Sequence, residues 1–123
     1  MLSGYRGRLL RVIRLLNSFV EEGKVEDLVV ASSLLINAGN DTYASFEVYS
    51  HVILPAISIQ AGLELRKRAS DIKRRGVMKE DKEYVIDIRQ LFKRIADTID
   101  SGEYEREYRV MVKKARGVSR IAG

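Results

Sequence analysis

The sequence predicts an all-α protein, a compact bundle of five or six helices forming a single domain over residues 1–123. Three observations support this prediction. Glycines and one proline divide the chain into segments of helical length, and within these segments apolar residues recur every three or four positions. The composition, 46% hydrophobic and 32% charged, is globular, and 123 residues suffice for one modest core.

The first predicted helix covers about Tyr5–Glu22 and ends at Gly23. Its apolar stripe contains Leu9, Val12, Ile13, Leu16, Phe19 and Val20. The second covers about Val25–Ala38, with Gly39 placed just after its end. Because this segment is apolar on nearly all sides, we expect it at the centre of the bundle or in an oligomer contact. A short buried strand over Leu28–Ala31 is the competing interpretation.

Pro55 divides the middle of the chain, because proline lacks an N–H and collides with the preceding helical turn. We therefore predict a kink or break there, between a third helix over Tyr43–Leu54 and a fourth over Ala56–Arg75. The turn Asn40–Thr42 supplies N-cap residues for the third helix. Small residues in the fourth helix allow another helix to approach closely: Ala56, Ser58 and Gly62.

The fifth predicted helix, about Lys79–Ser101, has the clearest amphipathic pattern and is closed by Gly102. Its apolar stripe contains Val85, Ile88, Leu91, Phe92, Ile95 and Ile99. A sixth helix, about Glu103–Arg116, precedes a short flexible tail over about 117–123. In this last helix one face carries Tyr104, Tyr108, Met111 and Ala115.

Several classes of protein are excluded by composition. The chain contains no cysteine, which rules out disulfides, Cys-ligated metals and thiol catalysis. No apolar run reaches the roughly 18 residues of a membrane span, and the N-terminus lacks the pattern of a signal peptide. We expect a cytoplasmic protein, or a virion component if the source is viral. Few Asn and Gln residues beside abundant charge are typical of thermophile proteins.

Basic residues fall into three blocks, although the formal net charge is only +5. The first block is Arg6, Arg8, Arg11 and Arg14, with no acid in the first twenty residues. The second is Arg66, Lys67, Arg68, Lys73, Arg74 and Arg75. The third is Arg106, Arg109, Lys113 and Arg116, spaced to form one row along a helix opposite its apolar face, with Arg120 as a possible extension.

A single basic block is explained by a solvated helix face or by the helix dipole. Three blocks in one small chain favour contact with the phosphate backbone of a nucleic acid, RNA or DNA, with little base discrimination. Tyr5 and Tyr104 lie near basic blocks, where a ring can stack on an unpaired base or pack at the edge of the core. No helix-turn-helix, zinc-finger or RNA-recognition motif predicts sequence-specific readout.

Residues for catalysis are scarce, and no enzyme activity, metal or cofactor is predicted. His51, the only histidine, lies among apolar residues and is expected to be structural rather than a catalytic base. Three carboxylates fall roughly on one helix face and are expected to be solvated rather than metal ligands: Glu80, Glu83 and Asp87.

These observations predict a non-catalytic helical subunit of a larger nucleoprotein assembly, itself a homo- or hetero-oligomer. Small basic helical proteins occur as small subunits of archaeal CRISPR effector complexes and as coat proteins of archaeal filamentous viruses, but no motif assigns the chain to either class. A helical protein-interaction or dimerisation module without a nucleic-acid role is the alternative. A helical RNase or toxin-like enzyme that depends on His51 is a weaker one.

Overall fold

The computed structural model describes residues 2–45 and 53–102, and within these ranges it contains four α-helices. Helix α1 is Leu2–Glu22, α2 is Val25–Ser45, α3 is Ile53–Arg75 and α4 is Lys79–Asp100. The all-α prediction is confirmed. The predicted count of five or six helices is not, and the predicted sixth helix lies outside the described residues. None of the four helices is long and apolar enough to span a membrane.

Helices α1, α3 and α4 end where the sequence predicts. At the end of α3, Gly76 has a φ of +89°, a left-handed conformation that favours glycine, and its N–H donates to the Ile72 carbonyl at 2.7 Å. Gly23 and Gly102 follow α1 and α4 with similar positive φ angles. The turns at Gly23 and Gly76 are short, so α1 is closely followed by α2, and α3 by α4.

The predicted end of α2 at Gly39 is wrong, because the helix continues through the predicted turn to Ser45. Gly39 is buried, and a Cβ atom there would lie 2.8 Å from the Pro55 carbonyl oxygen of α3. Thr42, expected near an N-cap, donates its hydroxyl to the Ala38 carbonyl inside the helix. Glycine therefore serves here to bring two helices together, not to end one of them.

The kink or break predicted at Pro55 is not confirmed. Pro55 is the third residue of α3, in the first turn, where a backbone N–H has no helical partner in any case. The chain therefore loses no hydrogen bond at this position. Most of the predicted third helix, residues 46–52, lies outside the described residues.

The helices pack as antiparallel neighbours around one core. Helix α2 packs on both α1 and α3, and α1 also packs on α4. Arg6 pairs with Asp100 at one end of the α1–α4 contact, and Arg89 donates to Asn17 at the other. The largest fully buried core side chains come from all four helices: Leu9, Val12, Leu16, Phe19, Leu28, Leu35, Leu65, Val85 and Phe92. Burial of these apolar groups drives the assembly of the bundle.

Candidate nucleic-acid interface

The first basic block divides into paired and unpaired arginines. Arg6 forms an ion pair with Asp100 of α4, and Arg8 donates to Asp41 of α2 at 2.6 Å. Arg11 and Arg14 lie on the exposed side of α1 and form no ion pair within the described part of the chain. Two of the four arginines therefore connect α1 to its neighbours, and two make no such contact within the described residues.

The second block loses two cations to one buried carboxylate, that of Asp81. Arg75 holds both carboxylate oxygens at 2.9 Å, and Arg68 holds one of them at 2.9 Å. The Met78 backbone N–H donates to the same carboxylate at 2.8 Å, which caps the start of α4. These donors, Arg75 foremost, hold the pKa of Asp81 well below its usual range despite the opposing effect of burial. Arg68 and Arg75 thus fasten the turn between α3 and α4.

Tyr84 extends this arrangement along the α3–α4 boundary. The guanidinium of Arg68 lies 4.1 Å from the centre of the Tyr84 ring, a cation–π contact. The Tyr84 hydroxyl donates to Glu64 at 2.6 Å, which lowers the pKa of Glu64, and Gln60 donates to the other oxygen of that carboxylate. Burial, with help from Glu64, raises the pKa of Tyr84. We call this set the α3–α4 polar cluster: Glu64, Arg68, Arg75, Asp81 and Tyr84.

The other four cations of the second block form an exposed group, the α3 basic strip: Arg66, Lys67, Lys73 and Arg74. Lys67 and Arg74 are seven residues, about 10 Å, apart on one face of α3, and Arg66 and Lys73 have the same spacing on the adjoining face. Ser70 is exposed between them. Within the described chain, only Arg74 of the four forms an ion pair, with Asp71 one turn away.

The first block and the α3 basic strip do not merge into one surface. Helix α1 has α2 and α4 as its neighbours, and α3 lies across the bundle from it, packed on α2 and bonded to α4 through the polar cluster. The solvent-facing sides of α1 and α3 therefore point in opposite directions. The two described basic blocks therefore lie on separate sides of the bundle.

The third block lies outside the described residues, as do His51 and Tyr104. That block comprises Arg106, Arg109, Lys113, Arg116 and Arg120. Tyr5 is described, and it is 5% exposed; across the core its hydroxyl donates to the Leu54 carbonyl and accepts from the Ser58 hydroxyl. It is a core residue and cannot stack on a base.

Sequence reasoning missed Asp81 while considering its neighbours Glu80, Glu83 and Asp87, all of which are exposed. One signal was available, because an acid at the third position of a helix is a common capping residue. Among the described residues, no group of three or more His, Asp or Glu side chains is arranged to hold a metal ion.

Comparisons with protein families, with curated proteins and with solved structures give no match for this chain.

Proposed function

We propose that the protein binds the phosphate backbone of a nucleic acid and acts as a non-catalytic helical subunit of a larger nucleoprotein assembly. The observation that carries this proposal is the α3 basic strip. Its four cations are exposed on adjoining faces of one helix, and three of them have no ion pair within the described residues. Arginine and lysine in this state offer donors to phosphate oxygens without first breaking an internal contact.

Phosphate binding at the strip explains a feature that solubility alone does not. The chain uses acids to neutralise cations at the helix seams, as with Asp81, but the outward faces of α3 over residues 66–74 carry a single acid, Asp71, one-third exposed at their edge. A surface on which cations outnumber acids in this way attracts a polyanion. The helix dipole contributes to the placement of Lys73 and Arg74 in the last turn, but Arg66 and Lys67 lie further back.

The test is filter binding of the full chain to mixed-sequence RNA and DNA across a salt series. A strip that neutralises four phosphates predicts a log–log slope of about −3 to −4 from the strip alone. Replacing all four strip cations by glutamine should remove that part of the slope and weaken binding at low salt by at least about a hundredfold.

A matched control separates a local site from overall charge. The variant carrying R11Q, R14Q, K93Q and R94Q removes four exposed cations that lie elsewhere and form no ion pair within the described chain. Both variants fall from a formal net charge of +5 to +1. The proposal expects the strip variant to lose far more affinity than the control. Equal losses, or no binding by the unmodified chain at low salt, would contradict it.

The alternative function, a protein-interaction module, gives a different result in the same samples. It predicts self-association or partner binding that survives high salt, with no retention of polynucleotide, because apolar burial is insensitive to ionic screening. Sedimentation of the unmodified chain at low and high salt distinguishes the two.

A further inference from the structure

Ser70 lies at the centre of the α3 basic strip. Arg66 and Lys67 precede it by four and three residues, and Lys73 and Arg74 follow it by three and four. Positions three and four residues apart are nearest neighbours on a helix surface, with Cβ atoms about 5–6 Å apart. Around the helix axis, Ser70 falls midway between the two rows of the strip, about 50° from each. All four cationic side chains can therefore converge on one group placed over the Ser70 hydroxyl.

The Ser70 side chain is directed to solvent. Serine and threonine inside a helix often turn the hydroxyl back to a carbonyl one turn earlier. Thr42 and Thr98 do so here, at 2.6 and 2.8 Å from the carbonyl oxygens of Ala38 and Arg94. Ser70 is exposed and makes no such bond within the described residues. Its hydroxyl can therefore donate to an oxygen that arrives from solvent.

The arrangement of the strip cations differs from a single row. A single row along a helix can follow successive phosphates of a strand. Cations on both sides of one hydroxyl enclose one group instead, and each guanidinium offers a planar fork of donors to its oxygens. The one acid within residues 66–74 is Asp71, which pairs with Arg74. With this acid counted against the four strip cations, a net charge of +3 surrounds Ser70.

This charge matches a phosphate monoester better than a phosphate inside a nucleic-acid backbone. Near neutral pH a monoester carries close to two negative charges and has three acceptor oxygens. A backbone phosphate is a diester, with one negative charge and one oxygen fewer to accept hydrogen bonds. A strand that ends in a phosphate presents a monoester at its end, followed by diesters.

We propose that Ser70 and the four strip cations form a binding site for the terminal phosphate of a nucleic-acid strand. Ser70 donates its hydroxyl to one phosphate oxygen. Two of the four cationic charges balance the dianion, and the other two hold the backbone phosphates that follow it. This inference rests on the proposed function and names its substrate class, a strand with a 5′ or 3′ phosphate end.

The test is competition binding of the full chain at low salt, with one short single-stranded oligonucleotide in three forms. The forms carry a 5′ phosphate, a 3′ phosphate, or hydroxyls at both ends. At least one phosphorylated form should bind at least about tenfold more tightly than the hydroxyl form, because hydrogen bonds to a charged group are the stronger kind. Equal affinities would contradict the terminal-phosphate site and leave backbone binding intact, whereas no binding of any form would contradict both proposals.

Substitution of Ser70 separates this site from the effect of added charge. S70A removes the donor at constant net charge and should reduce the preference for the phosphorylated form at least about threefold. S70T keeps a hydroxyl and should retain the preference. Ser101, exposed at the end of α4 away from the α3–α4 turn, supplies the control, and S101A should also retain it. A preference that S70A leaves unchanged would assign it to charge alone and overturn the proposal.

Discussion

Helix α3 has two very different sides. On the side toward α2, the two helices make contact at a pair of glycines. A Cβ on Gly62 of α3 would lie 2.8 Å from the Ser32 carbonyl oxygen of α2, and a Cβ on Gly39 of α2 would lie 2.8 Å from the Pro55 carbonyl oxygen of α3. Toward α4 it meets charge, with Asp81 held by two arginines. The first contact is close along much of its length, whereas the second is fastened near the turn and opens into an apolar groove further along.

The difference shows how residue size and charge set the separation of helices. Because glycine has no side chain, two helices can approach until the glycine of one lies in van der Waals contact with a backbone carbonyl oxygen of the other. Such close contact excludes water from between the helices. Arginine and aspartate side chains hold helices together through directional bonds that act only where the groups meet. The α2–α3 seam thus contributes rigidity, and the α3–α4 seam leaves surface that another element can cover.

The largest effect is expected at the glycine seam. The double variant G39A/G62A should lower the free energy of unfolding by about 4 kcal/mol, because each new Cβ overlaps backbone atoms of the facing helix and forces the two helices apart. Denaturant titration monitored by circular dichroism measures the change.

Two glycines of α1 provide the control for this variant. Gly4 and Gly7 are exposed, and beyond the neighbouring helix backbone no atom would lie within 4 Å of a Cβ added at either position. G4A/G7A should therefore stabilise the protein by up to about 2 kcal/mol, because alanine favours helix more than glycine does. If both double variants are stabilising, the close approach of α2 and α3 is contradicted.

A smaller effect is expected at Asp81. D81N should lower the free energy of unfolding at pH 7 by about 2–3 kcal/mol, since it leaves Arg68 and Arg75 without a counter-charge in a partly buried site. The exposed neighbour Asp87 supplies the control, and D87N should change stability by less than about 0.5 kcal/mol.

The effect of D81N should also depend on pH in a defined direction. The folded pKa of Asp81 is lowered, so its stabilisation is complete above the unfolded value of about 4 and is lost as pH falls toward the folded value. The unmodified protein and D81N should therefore converge in stability below about pH 4. A difference that stays constant from pH 7 to pH 3 would assign the effect to packing alone.

Sequence periodicity was sufficient to predict the helices whose apolar face is continuous. Helices α1 and α4 follow their predicted stripes closely, because a helix with one apolar face packs in only one orientation. It failed at Gly39, where the same residue type ends a helix in one context and allows close packing in another. The difference depends on a contact with Pro55, which is distant in sequence and cannot be seen in local pattern.

The candidate site was predictable in composition and not in placement. All four cations of the α3 basic strip were among the predicted residues, but so were Arg68 and Arg75, which bind Asp81. Helical spacing gives the direction of each side chain around the helix axis. It does not show whether an acidic residue of the next helix lies close enough to pair with that side chain. Pairing across a turn is a tertiary property.

The smallest effect is expected at Tyr84, and it is the most specific test of the α3–α4 polar cluster. Y84F keeps the ring over Arg68 but removes the hydroxyl that donates to Glu64 at 2.6 Å. We expect a loss of about 1 kcal/mol, the usual net value of one hydrogen bond, together with a rise in the pKa of Glu64 toward its ordinary value. NMR titration of the Glu64 carboxyl in both proteins measures that rise. An unchanged Glu64 pKa would show that the Tyr84 hydroxyl does not hold the two helices together here. The separation of α3 and α4 would then depend on the Asp81 contacts.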